Sequence, residues 1–318
     1  MRRSRQRGVA LLVAIVIFAV ATLLAAAITY SKAMTARRSA ATYTMEEALQ
    51  AGMAAEALAS IALEKDGPET QTEFNQEWAQ TQQPVELEGT GVWIAAQLED
   101  MAGRFNLNSV VKWDPATKTF IGDEHQTEVF RKLLVSLDID QRYADLLVDW
   151  IDPDIAPSGN SGGEDTLYLS QVPPYRPPNT FITHASELLA LPGFGRENYL
   201  KIAPYVTALP YDTDLNVCTA SGLVLDVTRN DPTNETEFRN IDLKVEREKG
   251  CFPARTVYTN PLQDPLKGEV TGRIDEKSHW FRLRTNIRIG TAEFVLYSLL
   301  FVEGTNKVRT VQRSFGSE

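Results

Sequence analysis

A chain of 318 residues with 43% hydrophobic and 23% charged positions can bury a sizeable core, which excludes a disordered protein. The formal net charge is −10, and without the four arginines of the first seven residues 28 basic residues face 42 acidic ones. That balance argues against nucleic acid as a partner, since phosphate binding needs a basic surface, and it suits cations or basic proteins.

Arg2, Arg3, Arg5 and Arg7 lead into Gly8 and then into 23 uncharged residues, Val9 to Ser31. At ~1.5 Å per residue, such a helix crosses a ~30 Å hydrocarbon layer. Three readings compete: a secretory signal peptide with Ala25-Ala26-Ala27 at its cleavage site, a plain signal anchor, and a leader cut between Gly8 and Val9. The run is longer than the usual ~7–15-residue core of a signal peptide, which counts against the first. The basic–Gly–apolar junction resembles the prepilin-peptidase site of type IV pilins and type II secretion pseudopilins, where the apolar helix stays on the mature chain. The arginines set the cytoplasmic end. Lys32, Arg37 and Arg38 flank the other end, so the charge bias is incomplete. The twin Arg2-Arg3 lacks the rest of a Tat signal.

From Lys32 to Lys65 there is no proline and a single glycine, Gly52, so the helix is expected to run on until Asp66-Gly67-Pro68 stops it. Met34, Ala41, Met45, Ala48, Ala55, Leu58 and Ala62 recur at helical spacing, a stripe expected to pack on a globular body or on neighbouring helices. Residues 68–83 are a polar, Gln-rich connector, and Val85–Leu98 alternates like a hairpin broken at Gly89 and Gly91. Residues 124–151 carry one helical pattern through Val129, Leu133, Leu134, Leu137, Leu146, Leu147 and Ile151. An irregular stretch from Pro153 to Pro178 follows, then helical pattern at 183–191 and 195–203. Residues 226–250 show little periodicity and are expected to form a mobile loop. Trp280–Ile289, Phe294–Glu303 and Val308–Phe315 form an antiparallel meander turning at Gly290 and Gly304. The order predicts an α+β fold: a long N-terminal transmembrane and stalk helix packed on an antiparallel sheet, with a large, mostly helical domain inserted between strands.

Cys218 and Cys251 are the only cysteines; in an exported body they would form a disulfide, and the alternative is two buried thiols. His125, His184 and His279 are scattered, and no His/Cys cluster has zinc spacing. The densest chemistry is acidic: Asp149, Asp152 and Asp154, then Glu164 and Asp165 beyond a turn containing Gly159, Gly162 and Gly163. Calcium takes six to eight oxygens from such flexible loops, although the register is not that of an EF-hand. The alternatives are a solvated acidic loop or a general acid/base pair in a membrane-anchored periplasmic hydrolase. Leu191-Pro192-Gly193-Phe194-Gly195 resembles a helix-hairpin-helix turn, read here as a tight helix connection because the chain is acidic.

Taken together, Asp100–Asn108 (DMAGRFNLN), Asp149–Asp154 (DWIDPD), Gly163–Tyr168 (GEDTLY), Pro174-Tyr175 with Asn179, Glu187-Leu188, Leu215–Ala220 (LNVCTA) and Leu296–Leu300 (LYSLL) resemble the K-type minor pseudopilins of type II secretion systems. The resemblance covers nearly the whole chain in the family order. It implies a structural, non-enzymatic subunit at the tip of the pseudopilus that starts or caps the filament and aids export of folded proteins across the outer membrane. Expected partners are the I- and J-type minor pseudopilins, with the major pseudopilin, the prepilin peptidase, exported proteins and the outer-membrane secretin as further contacts. The expected location is the bacterial inner membrane, single-pass, with the body in the periplasm. The resemblance implies cleavage between Gly8 and Val9, N-methylation of Val9, and calcium at Asp152, Asp154, Glu164 and Asp165. It divides the chain into leader 1–8, stalk 9–65, first β part 84–108, inserted domain 109–270 and C-terminal β part 271–318. Val13 stands at the fifth mature position, where most pilins carry glutamate, and that suits a subunit with none ahead of it. Cys218 stands where many relatives have asparagine, so the Cys218–Cys251 pairing is expected from this chain and not from the family.

Overall fold

Helix α1 runs unbroken from Arg7 to Asp66 in a computed structural model that describes residues 7–66, 71–80, 83–304 and 307–316. Met1–Gln6 of the expected leader and Gly67-Pro68 of the expected stop lie outside the described residues. Residues Val9 to Ser31 are exposed on every side, and none of the described residues beyond the helix buries them. The second half of α1 lies on a five-stranded antiparallel sheet.

That sheet is built from both ends of the remaining chain. Strands β1 (Val85–Leu87) and β2 (Val92–Asp100) form a hairpin. The chain then leaves, passes through short paired strands β3 (Phe105–Asn106), β4 (Val111–Asp114), β5 (Thr119–Gly122), β6 (Val206–Thr207), β7 (Leu215–Asn216) and β8 (Ile274–Asp275), and returns as β9 (Trp280–Ile289), β10 (Ala292–Val302) and β11 (Val308–Phe315). The order is β1-β2-β9-β10-β11, with β2 against β9 from Val92↔Ile289 to Asp100↔Phe281. The expected meander is thus three-fifths of one sheet, and the helical domain is inserted between neighbours β2 and β9.

Strand alternation makes one face apolar: Phe281, Leu283 and Ile287 of β9 with Leu296 and Leu300 of β10. The helix face against it is Ala48, Ala51, Gly52, Ala55, Glu56, Ala59 and Leu63. The expected stripe is therefore corrected: Ala48 and Ala55 are buried on this face, whereas Ala41, Met45 and Leu58 are exposed, Leu58 to 70%. Small residues win that face because they let the helix axis approach the sheet; a Cβ on Gly52 would run into the Leu296 side chain. In the middle of this face, Glu56 accepts from Ser298 Oγ (2.6 Å), Thr310 Oγ1 (3.0 Å), and Nε (2.7 Å) and Nη2 (2.6 Å) of Arg313. Burial pushes the Glu56 carboxyl up, but the bonds from Arg313, Ser298 and Thr310 outweigh it and hold the group below the usual range.

The insertion has two cores. The first gathers α2 (Glu124–Ser136), α3 (Tyr143–Ile151), α4 (Asp165–Leu169) and α5 (Gly195–Ile202) around Phe105, Phe130, Leu134 and Leu147. The single pattern expected over 124–151 is two helices, because the chain turns at Leu137–Arg142 with Asp138 in the left-handed region (φ +55°). The second core surrounds α6 (Gly222–Arg229) with α7 (Leu243–Glu246), α8 (Arg255–Thr259) and α9 (Leu266–Thr271). Helix α6 serves both, sending Leu223 and Val227 to the first and Val224 and Leu225 to the second.

The loop expected at 226–250 is packed. Asp226 accepts from the N–H groups of Phe238 (2.8 Å) and Arg239 (3.1 Å), and the buried Arg229 stacks on Phe238 and bonds Glu237 (2.6 Å). Its polar residues are therefore internal anchors, which is why periodicity failed to reveal them. Insertion and sheet are joined at Asp100, a buried carboxylate accepting from Ser278 Oγ (2.6 Å), Thr219 Oγ1 (2.6 Å), Asn216 Nδ2 (2.9 Å) and the Ala102 N–H (2.9 Å). Asn216 Nδ2 also donates to the Thr72 carbonyl (3.0 Å), which ties in the segment after α1.

Candidate metal centre

The acidic stretch is organised by α3, which is buried along its whole length. Asp145 and Asp149 stand one turn apart on it and hold the backbone of the following turn. Asp149 Oδ1 accepts from the Ser158 N–H (2.8 Å) and Oδ2 from the Gly163 N–H (2.6 Å). Asp145 accepts from the Ser161 N–H (3.2 Å) and from Arg131 Nη2 (2.7 Å). The backbone lies too close to both carboxylates for side chains: a Cβ on Gly162 would collide with Asp149, and one on Gly159 with Asp145. Gly159 also has φ +57°. Pro153 ends the helix, leaving Asp152 as an extended C-terminal cap.

This folding-back brings Glu164 against the end of α3. Ligand atoms of Asp149, Asp152 and Glu164 lie within 4.8 Å of one another, and all three residues are buried. Among the described residues no ion pair reaches any of them. Asp152 Oδ1 and Glu164 Oε1 are buried without a hydrogen-bond partner. Burial, with the charges of Asp154, Asp149 and Glu164, pushes Asp152 up to about 7. Burial, with Asp149, Asp154 and Asp165, pushes Glu164 up to about 7. Burial also raises Asp149 despite its bonds to Ser158 and Gly163. Trp150, Tyr168 and Tyr175 pack their rings alongside, with Trp150 and Tyr168 centroids 5.3 Å apart.

Three carboxylates converging on one point repel one another, and two buried oxygens there lack any donor. An oxygen-only donor set with these orphaned atoms fits a hard divalent cation. Of the four expected ligands, Asp152 and Glu164 belong to the cluster. Asp154 and Asp165 do not: the Asp154 carboxylate caps the Ala156 N–H (2.7 Å), and Asp165 pairs with Arg176 (3.2 Å). They remain close enough to add negative charge. The missed member is Asp149, and its signal was the three-residue step to Asp152 at the end of a helix, which puts both on one face. Asn179 Oδ1 is also buried without a partner, and its Nδ2 lies 3.5 Å from the Asp154 carbonyl.

Elsewhere, Gly8 and Val9 lie in the first turn of α1. Cys218 and Cys251 form a disulfide across a separation of 33 residues. Within the segment it closes, the buried Arg247 donates to the carbonyls of Val217 (3.0 Å), Ala220 (2.7 Å) and Phe252 (2.8 Å). Burial lowers its pKa to about 10. The helix-hairpin-helix-like segment is a turn into α5, with Gly193 at φ +80° and Phe194 buried in the first core.

A family model described as type II secretion system protein K matches residues 103–211, the first core of the insertion. The chain is 30% identical to the type II secretion system protein K of Pectobacterium carotovorum subsp. carotovorum over 99% of this chain and 98% of that protein. It is likewise 30% identical to the protein of the same description from Pseudomonas aeruginosa, over 99% and 94%. Its fold resembles that of a chain in the crystal structure of the GspK-GspI-GspJ complex from the enterotoxigenic Escherichia coli type 2 secretion system, with a TM-score of 0.76 at 21% identity, covering 88% of this chain and 100% of that one.

Proposed function

This chain belongs to the type II secretion system protein K family, the minor pseudopilins, and we propose that it caps the pseudopilus with a body whose insertion is held by calcium. The family is a structural component of secretion, and the hydrolase alternative finds no support among these relatives. Helix α1 supplies both the membrane anchor, Val9 to Ser31, and the stalk that carries the body. The prepilin peptidase cuts between Gly8 and Val9, and Val9 is N-methylated. The body then lies on the periplasmic side of the inner membrane, joined to I- and J-type minor pseudopilins; the solved complex with the similar fold contains such a set. The insertion between Asp100 and Trp280 adds bulk at the sheet end of the stalk, which suits a terminal subunit.

The observation that carries the calcium reading is the pair of buried, partnerless oxygens in a three-carboxylate cluster that no cation among the described residues pairs with. Asp149, Asp152 and Glu164 would hold the ion, with Asn179 as a further oxygen donor. The ion would supply charge neutralisation and a link between α3 and the turn before α4. Isothermal titration of the full chain with calcium tests this: Asp152→Asn removes the binding, whereas Asp154→Asn only weakens it. Equal binding by wild type and Asp152→Asn would refute it. For the filament role, the mature protein from cells with prepilin peptidase should begin at Val9, about 14 Da heavy from one methyl group. A strain lacking the chain should fail to secrete its exported proteins; normal secretion there would refute the tip reading.

A further inference from the structure

We propose that Lys32, Arg37 and Arg38 form a cationic collar that binds the phosphates of anionic lipid headgroups where α1 leaves the membrane toward the body. The inference rests on the anchoring reading above. No Asp or Glu precedes Glu46, so every charge in the first 45 residues is positive, in a chain of net charge −10. Three of these cations lie beyond the apolar run, on the side where topology disfavours them. All three are exposed, and among the described residues no ion pair or hydrogen bond engages their side chains.

Because α1 is unbroken, helical geometry fixes where they stand. Arg37 and Arg38 lie about 8–9 Å past Lys32 along the axis. The headgroup layer is about 5–8 Å thick, and long cationic side chains reach back along the helix to it. At about 100° per residue, the three directions are separated by about 140°, 100° and 120° around the axis. They therefore ring the helix. A one-sided stripe would fit a single protein neighbour, whereas a ring fits a medium that surrounds the helix, as the headgroup layer does. Among the described residues the body does not reach this level: the first stalk residue buried on the sheet is Ala48, about 24 Å past Lys32. Tyr30, 69% exposed and just inside the collar, adds an aromatic ring at the interfacial level. Sinking α1 would draw three cations into hydrocarbon, and lifting it would strip them from phosphate, so the collar fixes its depth.

The test compares the full chain with the K32Q/R37Q/R38Q variant in nanodiscs of phosphatidylcholine, with and without phosphatidylglycerol. Native mass spectrometry counts the lipids each retains on release. Glutamine is a good helix former, so α1 persists in the variant, and the two chains differ nowhere else. The wild type should retain phosphatidylglycerol in preference, the preference should drop about fivefold per cation removed, and added salt should erase the difference. Equal lipid preference in the two chains overturns the collar. So does a variant that keeps its lipids but no longer binds the partner pseudopilins, which would assign the cations to a protein interface. A wild-type chain that does not enter the nanodiscs at all refutes the anchoring reading itself, and the collar with it.

Discussion

The stalk-and-sheet half and the helical insertion both bury carboxylates, and they neutralise them by different means. In the first, Glu56 meets Arg313 and two hydroxyls of the same chain, and its pKa falls. In the second, Asp149, Asp152 and Glu164 meet one another, no cation among the described residues pairs with them, and two of them rise to about 7. A buried charge must be paired or coordinated, or it neutralises itself by taking a proton. One half is therefore complete once folded. The other holds a three-carboxylate cluster that the proposed ion would neutralise, and a Cys218–Cys251 pair closed by oxidation.

The comparison would break most visibly at the disulfide. Replacing both cysteines by serine should cost roughly 4 kcal/mol from loop closure alone. Hydrogen exchange should show the loss around α6 to α9, with β9 and β10 still protected; uniform loss over the sheet would contradict the division. Next, Arg313→Gln leaves the buried Glu56 with hydroxyl donors only and should cost about 3 kcal/mol, read by chemical denaturation. It should loosen the stalk from the sheet without changing calcium binding. Third, chelation should destabilise the insertion by about 2.7 kcal/mol relative to calcium at 100 times its Kd, and Asp152→Asn should abolish that difference.

The smallest effect concerns pH. Asp152 and Glu164 have folded pKa values of about 7, above the ~4 of an unfolded carboxyl. Between those limits the calcium-free folded state holds more protons than the unfolded one, so its stability falls as pH rises from about 4 to 7 and then levels. Calcium requires the ionised carboxylates, so its affinity should fall on acidification. The thermal midpoint measured with and without calcium should therefore converge near pH 5 and separate above 7. Parallel curves would remove the cluster from the account.

Much of this was legible in the chain. The acid-free apolar run, the proline-free stalk and the alternating C-terminal strands each follow from a local period that burial enforces. The disulfide segment was less legible: Asp226 and Arg229 look like surface residues until their partners Phe238, Arg239 and Glu237 are placed around them. The stalk face misled at Leu58 because hydrophobicity alone does not say which side the sheet will take. Gly52 and the small alanines, with Glu56 among them, decide that by permitting close approach and a matched charge.

The candidate centre shows the same boundary. Sequence by itself determined that an acidic, glycine-turned stretch follows a helix, that it resembles protein K, and that oxygen ligands suit calcium. It also determined the anchor and the ring of cations beyond it, since both depend only on the rise and rotation of one helix. Which acids meet was decided by tertiary structure. Asp149 enters and Asp154 and Asp165 leave because the turn at Ser158–Gly163 is tied down to α3, and a carboxylate can join a site only where the backbone aims it.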